Sequence, residues 1–271
     1  MTYLSREAST IPDSLWDDID SAVIEAARKV LVGRRFLHIF GPLGIGVNYI
    51  NIDNIDEIDE TEKDGIITTK GRKLVEIPII YDDFTLLARD LENSWKTGLN
   101  VDLSKAMASA ETCALKEDRL IFFGDSDLDY EGLLTAQGTN RIAKKDWSEG
   151  ENAFSDIAYG IELLIEKGIF GHYALILSLD LYTQLQRLQP GTGVLEIDRI
   201  SKLVDGRIYK SPVLGKQKAI LLCPEQRNMD LVIGQDMAAA YLEQKDLNHV
   251  FRVLESVLLR IKRKKAIVIF E

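Results

Sequence analysis

Apolar residues recur at three- and four-residue intervals near the start of the chain: Leu15, Trp16, Ile19, Ala22, Val23, Ala26, Ala27, Val30 and Leu31. That spacing lays one stripe along a helix, so it predicts an amphipathic helix over residues 14–32. Ser14 with Asp17 three residues on reads as a capping box, and Gly33 as the stop. "FLHIF" (36–40) alternates like a short strand, and "GPLGIG" (41–46) breaks it. Helical spacing returns at 84–94, 103–122 and 153–167, and in shorter form at 181–188 and 197–203. Apolar runs at 172–179 and 218–223 predict buried strands. The tail offers "DLVI", "AAAYL", "HVFRVLESVLLRIK" and "AIVIF". The third is ambiguous, because Phe251, Leu254, Val257, Leu258 and Ile261 also fit a helix.

Residues 48–81 differ in character. "NIDNIDEIDETEKDGIITTKGRKLVEIPII" alternates isoleucine with acid and then carries Gly65, Gly71 and Pro78. Period-two alternation without bulky core residues predicts a two-stranded arm, and an arm that cannot bury itself needs a partner surface.

Length and composition place these elements in a globular protein. The 271 residues allow one large domain or two smaller ones, with 46% hydrophobic and 28% charged residues. No stretch approaches the roughly 20 apolar residues that cross a bilayer, and "MTYLSREASTIPDS" lacks a signal-peptide pattern. Cys113 and Cys223 are too few for a disulfide framework, which points to a reducing cytoplasm. A net charge of -10 argues against general nucleic-acid binding.

Candidate chemistry is sparse. "GDSDLDYEG" (124–132) starts like a calcium loop with Asp125, Asp127 and Asp129, but Tyr130 and Ala136 stand where Gly and Glu are required. It reads as a solvated turn. "GPLGIG" has neither dinucleotide nor P-loop spacing. The acidic series Asp53, Asp56, Glu57, Asp59, Glu60 and Glu62 reads as a solvated face, and Lys262–Lys265 as a turn between the last two strands. His38, His172 and His249 have no ligand partners at metal spacing, and neither cysteine sits in a nucleophile motif. Gly234-Gln235-Asp236 lies between two apolar runs, but no base or nucleophile pairs with Asp236, so the stretch reads as a structural turn. These residues imply an α+β protein with an arm and no active site.

The ordered segments "YLSREAS", "LWDDIDSAV", "GRRFLHIFGPLG", "DLENSWKTGLNVDLS", "EDRLIFFGD", "GLL" (132–134) and "LVIGQDMAAAYLEQKD" together resemble the encapsulins, bacterial and archaeal shell proteins with the tailed-phage capsid fold. The resemblance runs nearly end to end, with Gly-Arg-Arg-Phe and Gly-Gln-Asp as its most specific parts. It implies a peripheral domain (1–48, 81–133 and 224–271), an extended loop (49–80) that laps over a neighbour, and an axial domain (134–223). It makes 249–262 a long strand and Gly-Gln-Asp a turn in which Gly234 gives backbone freedom. The implied function is a shell subunit that self-assembles icosahedrally around a cargo enzyme, either a ferritin-like iron-oxidising protein or a dye-decolourising peroxidase. Cargo would dock by its C-terminal targeting peptide beside the first helix, at Val23, Ala27, Val30, Leu31, Arg34 and His38. Pro190, Gly191, Thr192 and Gly193 would line a pore. Some relatives stack flavin on a tryptophan; Arg89 stands at that place and Trp95 is out of register, so no flavin or other cofactor is expected. Catalytic and metal-binding residues are expected to be absent, and nucleic acid and membrane are not expected partners. The alternatives are a prophage capsid protein holding DNA, and a protease or bacteriocin-like enzyme.

Overall fold

The computed structural model describes residues 3–189, 191 and 193–271. In chain order the elements are α1 (Asp13–Val30), β1 (Ile39–Phe40), β2 (Tyr49–Asp53), β3 (Asp59–Lys63), β4 (Ile66–Lys70), β5 (Arg72–Glu76), β6 (Ile79–Leu86), α2 (Ala88–Thr97) and α3 (Ser104–Phe123). A small hairpin, β7 (Gly124–Asp125) and β8 (Tyr130–Glu131), precedes β9 (Asn140–Ile142), α4 (Asn152–Glu166), β10 (Ala174–Ser178), α5 (Leu179–Gln184) and α6 (Glu196–Leu203). Then follow β11 (Ile208–Ser211), β12 (Ala219–Leu222), β13 (Met229–Ile233), β14 (Ala238–Lys245), β15 (Asn248–Ile261) and β16 (Ile267–Phe270).

Two mixed sheets organise the molecule. In the first, β15 is the spine: its N-terminal part pairs with β14 on one side and β6 on the other, and its C-terminal part pairs with β13, which pairs with β1. The helical spacing in 249–262 is overridden because a strand flanked on both sides buries nearly every side chain it has. Phe251 is its centre, stacked on Phe84 at 4.9 Å and met edge-on by Trp16 at 5.4 Å and Tyr241 at 5.7 Å. Those rings seat α1 on the sheet, and α3 packs beside it. The second sheet runs β11-β10-β12-β16-β9, with α4 and α6 over it.

Several sequence expectations shift. The helical spacing at 84–94 splits: Phe84 and Leu86 alternate inward in β6, and the helix starts at Ala88 with Leu91 as its one buried residue. Pairing with β15 decides this, as tertiary contacts routinely outweigh local pattern. The first helix starts at Asp13, with Pro12 at its cap and no side-chain cap, so Ser14 and Asp17 form no capping box. It ends at Val30, before Gly33; that glycine serves close approach, since a Cβ there would fall 2.4 Å from Ile121 Cδ1 of α3. β16 pairs with β12 and β9, which places residues 267–270 in the second sheet. The basic cluster turns the chain between β15 and β16, as anticipated.

The arm is a hairpin in two steps, β2 with β5 and β3 with β4. Its base is fastened to the body by Ile55 N–H donating to Lys262 O, and by Lys73 pairing with Asp129. Ile50 and Ile52 pack against Val75, Val232 and Leu258. The outer step buries nothing of its own: Ile66 and Ile67 are 66% and 64% exposed.

Candidate functional site

The last two turns of α1 leave a groove of about 340 Å³ against the start of β14. Its apolar lining is Ile24, Ala27, Leu31, Ile39 and Met237, and its polar lining Arg28, Arg34, Arg35 and Asp236. The helix repeat places 24, 27, 28 and 31 on one face, and small Ala27 keeps the floor low. Of the six residues the sequence pointed to for docking, Ala27, Leu31 and Arg34 meet here. Val23 does not; it is fully buried beneath α1, and Val30 packs against the same core. His38 is exposed outside the groove; its carbonyl accepts from Leu231 N–H, and its neighbour Ile39 reaches the lining. Ile24 and Arg28 follow from the helix repeat and were missed. Asp236 and Met237 come from two hundred residues away, and no local pattern carries that.

Arg34 is engaged from within. Its Nε and Nη2 donate to Glu117 at 2.7–3.0 Å, Nη2 also to Glu255 Oε2 at 2.6 Å, and Nη1 to Asp236 Oδ1 at 2.6 Å. Glu117 and Glu255 are fully buried. Burial works against the Arg34 charge, yet the surrounding carboxylates, Glu117 above all, hold it more firmly protonated than usual. Burial, and then the charge of Glu117, raises Glu255 well above the ordinary carboxylate range. Next along α3, burial pushes Asp118 up to about 7, although the N–H groups of Gly33 and Val32 donate to it and pull the other way. Arg34 is therefore already saturated with carboxylates, rather than a free anchor for a ligand carboxylate.

Gly234-Gln235-Asp236 is held closed. Gly234 N–H donates to Ser256 O at 2.9 Å, Gln235 N–H to Ser256 Oγ at 2.7 Å, and Ser256 N–H to Gln235 O at 2.9 Å. Asp236 Oδ1 accepts from Met237 N–H at 2.9 Å. Gly234 is not in a left-handed conformation, so backbone freedom is not its reason. A Cβ there would lie 2.4 Å from Ser256 Oγ, so the glycine admits that hydroxyl.

The other candidates separate. Asp125 turns its loop by accepting from the N–H groups of Asp127 and Leu128. Among the described residues no three His, Cys, Asp or Glu side chains gather as a metal site. Of the acids and bases flagged in the sequence, Asp56 pairs with Lys265, while Asp53, Lys262 and Lys264 pair with Arg72, Asp230 and Glu131 outside the two groups. In the 188–195 loop, Gly191 and Gly193 are left-handed at φ 78° and 67°. The other two residues expected there, Pro190 and Thr192, lie outside the described residues. The loop's base is fixed by Gln189 N–H to Val194 O and by Arg187 Nε to the buried Glu196 at 2.7 Å. Among the described residues no helix is long and apolar enough to cross a membrane.

A family model described as an encapsulating protein for peroxidase matches residues 1–258. The type 1 encapsulin shell protein of Myxococcus xanthus is 40% identical over 276 residues, covering 99% of this chain and 96% of its own. The virus-like particle of Pyrococcus furiosus aligns with a TM-score of 0.77 at 20% identity, over 95% of this chain and 99% of that one. The capsid of the myovirus XM1 aligns at 0.64 and 13%, over 88% and 90%, which makes the fold that of tailed-phage capsid proteins.

Proposed function

Since this chain belongs to the encapsulin shell family, and so serves as a shell subunit, we propose that it closes icosahedrally in the cytoplasm and captures a cargo enzyme by that enzyme's C-terminal peptide. The groove along α1 carries this reading. It has an apolar floor wide enough for small side chains, and basic groups at Arg28 and Arg35. A chain terminus ending in a carboxylate complements that basic side. The family's description names a peroxidase as what is encapsulated, and a relative from Pyrococcus furiosus is named as a ferritin-like fusion, so both cargo classes fit this reading. Docking uses Ala27 and Leu31 with Ile24, Ile39 and Met237; Arg34 shapes the wall from behind.

Assembly uses the arm. A hairpin whose tip leaves Ile66 and Ile67 in solvent gains order by lying on a neighbouring copy. Closed point-group symmetry then repeats one such contact throughout the shell. The glycines of the 188–195 loop give an exposed tip with little side chain, suited to a narrow opening for small substrates. The shell role needs no catalytic residue of its own.

The test is co-expression with a peroxidase carrying its C-terminal peptide. Ile24→Asp places a charge in the apolar lining from an exposed helix face, Ile24 being 42% exposed. It is expected to leave particles intact and empty them of cargo. Unchanged loading in Ile24→Asp particles rejects the groove as the docking site.

A further inference from the structure

Behind the groove wall, one guanidinium faces more carboxylates than it can neutralise. From the corner after α1 come Arg34 and Arg35, from α3 Glu117 and Asp118, from β15 Glu255, and from the β13–β14 turn Asp236. Arg34 touches Glu117, Glu255 and Asp236 directly, while Arg35 acts on Asp118 from a distance. On the far side of Glu255 lie Cys113, whose thiol burial pushes up to about 12, and more remotely Asp82, Asp83 and Lys116. Lys116 is occupied by Tyr81 O and Asp82, and Asp83 by Arg252. Among the described residues no second cation pairs with Glu117 or Glu255.

Glu255 Oε1 is buried and accepts no hydrogen bond from any donor in place. A buried carboxylate oxygen without a donor is costly. A carboxylic acid proton between Glu255 and the adjoining Glu117 removes both that cost and one of the two buried charges. We propose that Glu117 and Glu255 share one proton, and that this proton is a pH-sensitive fastener for the groove wall.

The coupling runs through Arg34. While the proton is present, the pair carries one negative charge, and the guanidinium is free to serve both it and Asp236. When the proton leaves, the pair carries two charges in a buried site and draws Arg34 inward. Asp236 then loses its hold on Arg34 Nη1, and with it the turn that presents Met237 to the groove loosens. Wall order is therefore greatest at low pH and falls as pH rises. The device belongs to the wall and operates whatever the groove holds.

Two measurements on intact shells test it. Infrared difference spectra of the wild type are expected to show, beside a band from Asp118 that Glu255→Gln retains, a second buried carboxylic acid band that disappears on alkaline titration and is missing from Glu255→Gln. Hydrogen exchange of the segment 234–240, corrected for the intrinsic pH dependence, is expected to lose about tenfold protection between about pH 6 and about pH 9 in the wild type, corresponding to one pKa unit of coupling. Glu255→Gln, which keeps a donor in place of the proton, is expected to hold its protection across that range. If Glu255→Gln fails to form shells, Glu117→Gln serves as the second variant, with the same expectation. The same carboxylic acid bands in wild type and Glu255→Gln, or an equal pH slope in wild type and amide variants, overturns the proposal.

Discussion

Glu117 and Glu255 accept from the same nitrogen: Arg34 Nη2 lies 2.7 Å from Glu117 Oε2 and 2.6 Å from Glu255 Oε2. This joins α3 to β15, the central strand of the first sheet. It also gives Arg34 a structural task that its Gly-Arg-Arg-Phe setting does not disclose.

Replacing Arg34 therefore affects folding before cargo. Arg34→Glu puts a third carboxylate beside the buried Glu117 and Glu255. Removing one partner of a buried ion pair costs about 3–5 kcal/mol, and reversing its charge costs more. Arg34→Glu is expected to give little soluble shell and a strongly lowered thermal midpoint. Intact but empty particles from this variant would return Arg34 to a docking role.

Stability should also depend on pH through Glu255. Its folded-state pKa is raised, so the folded chain keeps a proton that the unfolded chain releases from about pH 4.5 upward. Its favourable contribution is thus complete below that point and declines as pH rises toward the folded value. Asp118, raised to about 7, acts in the same direction. Glu255→Gln is expected to gain on the wild type as pH rises, read as a widening difference in thermal midpoint from about pH 4 to about pH 8. A constant difference contradicts the assignment.

Gly234→Ala places a methyl against Ser256 Oγ and pushes away the hydroxyl that holds Gln235 N–H. Overpacking of this kind typically costs about 1–3 kcal/mol. Chemical denaturation of Gly234→Ala is expected to show a lowered midpoint, and Gly234→Ala with Ser256→Ala should regain part of it, because the clashing atom is gone. A neutral Gly234→Ala would mean the turn has room to shift.

Much of this was legible in the sequence because it is periodic. The stripe from Leu15 to Leu31 identifies α1, and the alternation in 48–81 identifies an arm without a core. What was not legible depends on distant partners. Phe84 and Leu86 read as helical until β15 is laid beside them. β16 looks like a continuation of the first sheet until β12 claims it. Within the groove, Ala27 and Leu31 follow from the helix and the family resemblance. Asp236 and Met237 arrive only through the fold, and Arg34 changes role once Glu117 and Glu255 are seen beneath it.

The arm gives a direct test of assembly. With residues 52–70 deleted, the body keeps both sheets, since β3, β4 and most of what the deletion removes lie outside the main cores. Size exclusion is expected to show folded small oligomers in place of shells. Normal closed particles would mean that subunits join elsewhere.

The central claim is that this chain builds a container for a protein cargo. Electron microscopy of particles purified after co-expression with a peroxidase bearing its C-terminal peptide tests that most directly. Closed, isometric shells of uniform diameter are expected, with peroxidase density inside for the wild type and hollow interiors when the peptide is deleted. Particles filled with nucleic acid, or a chain that stays in small oligomers, would contradict it.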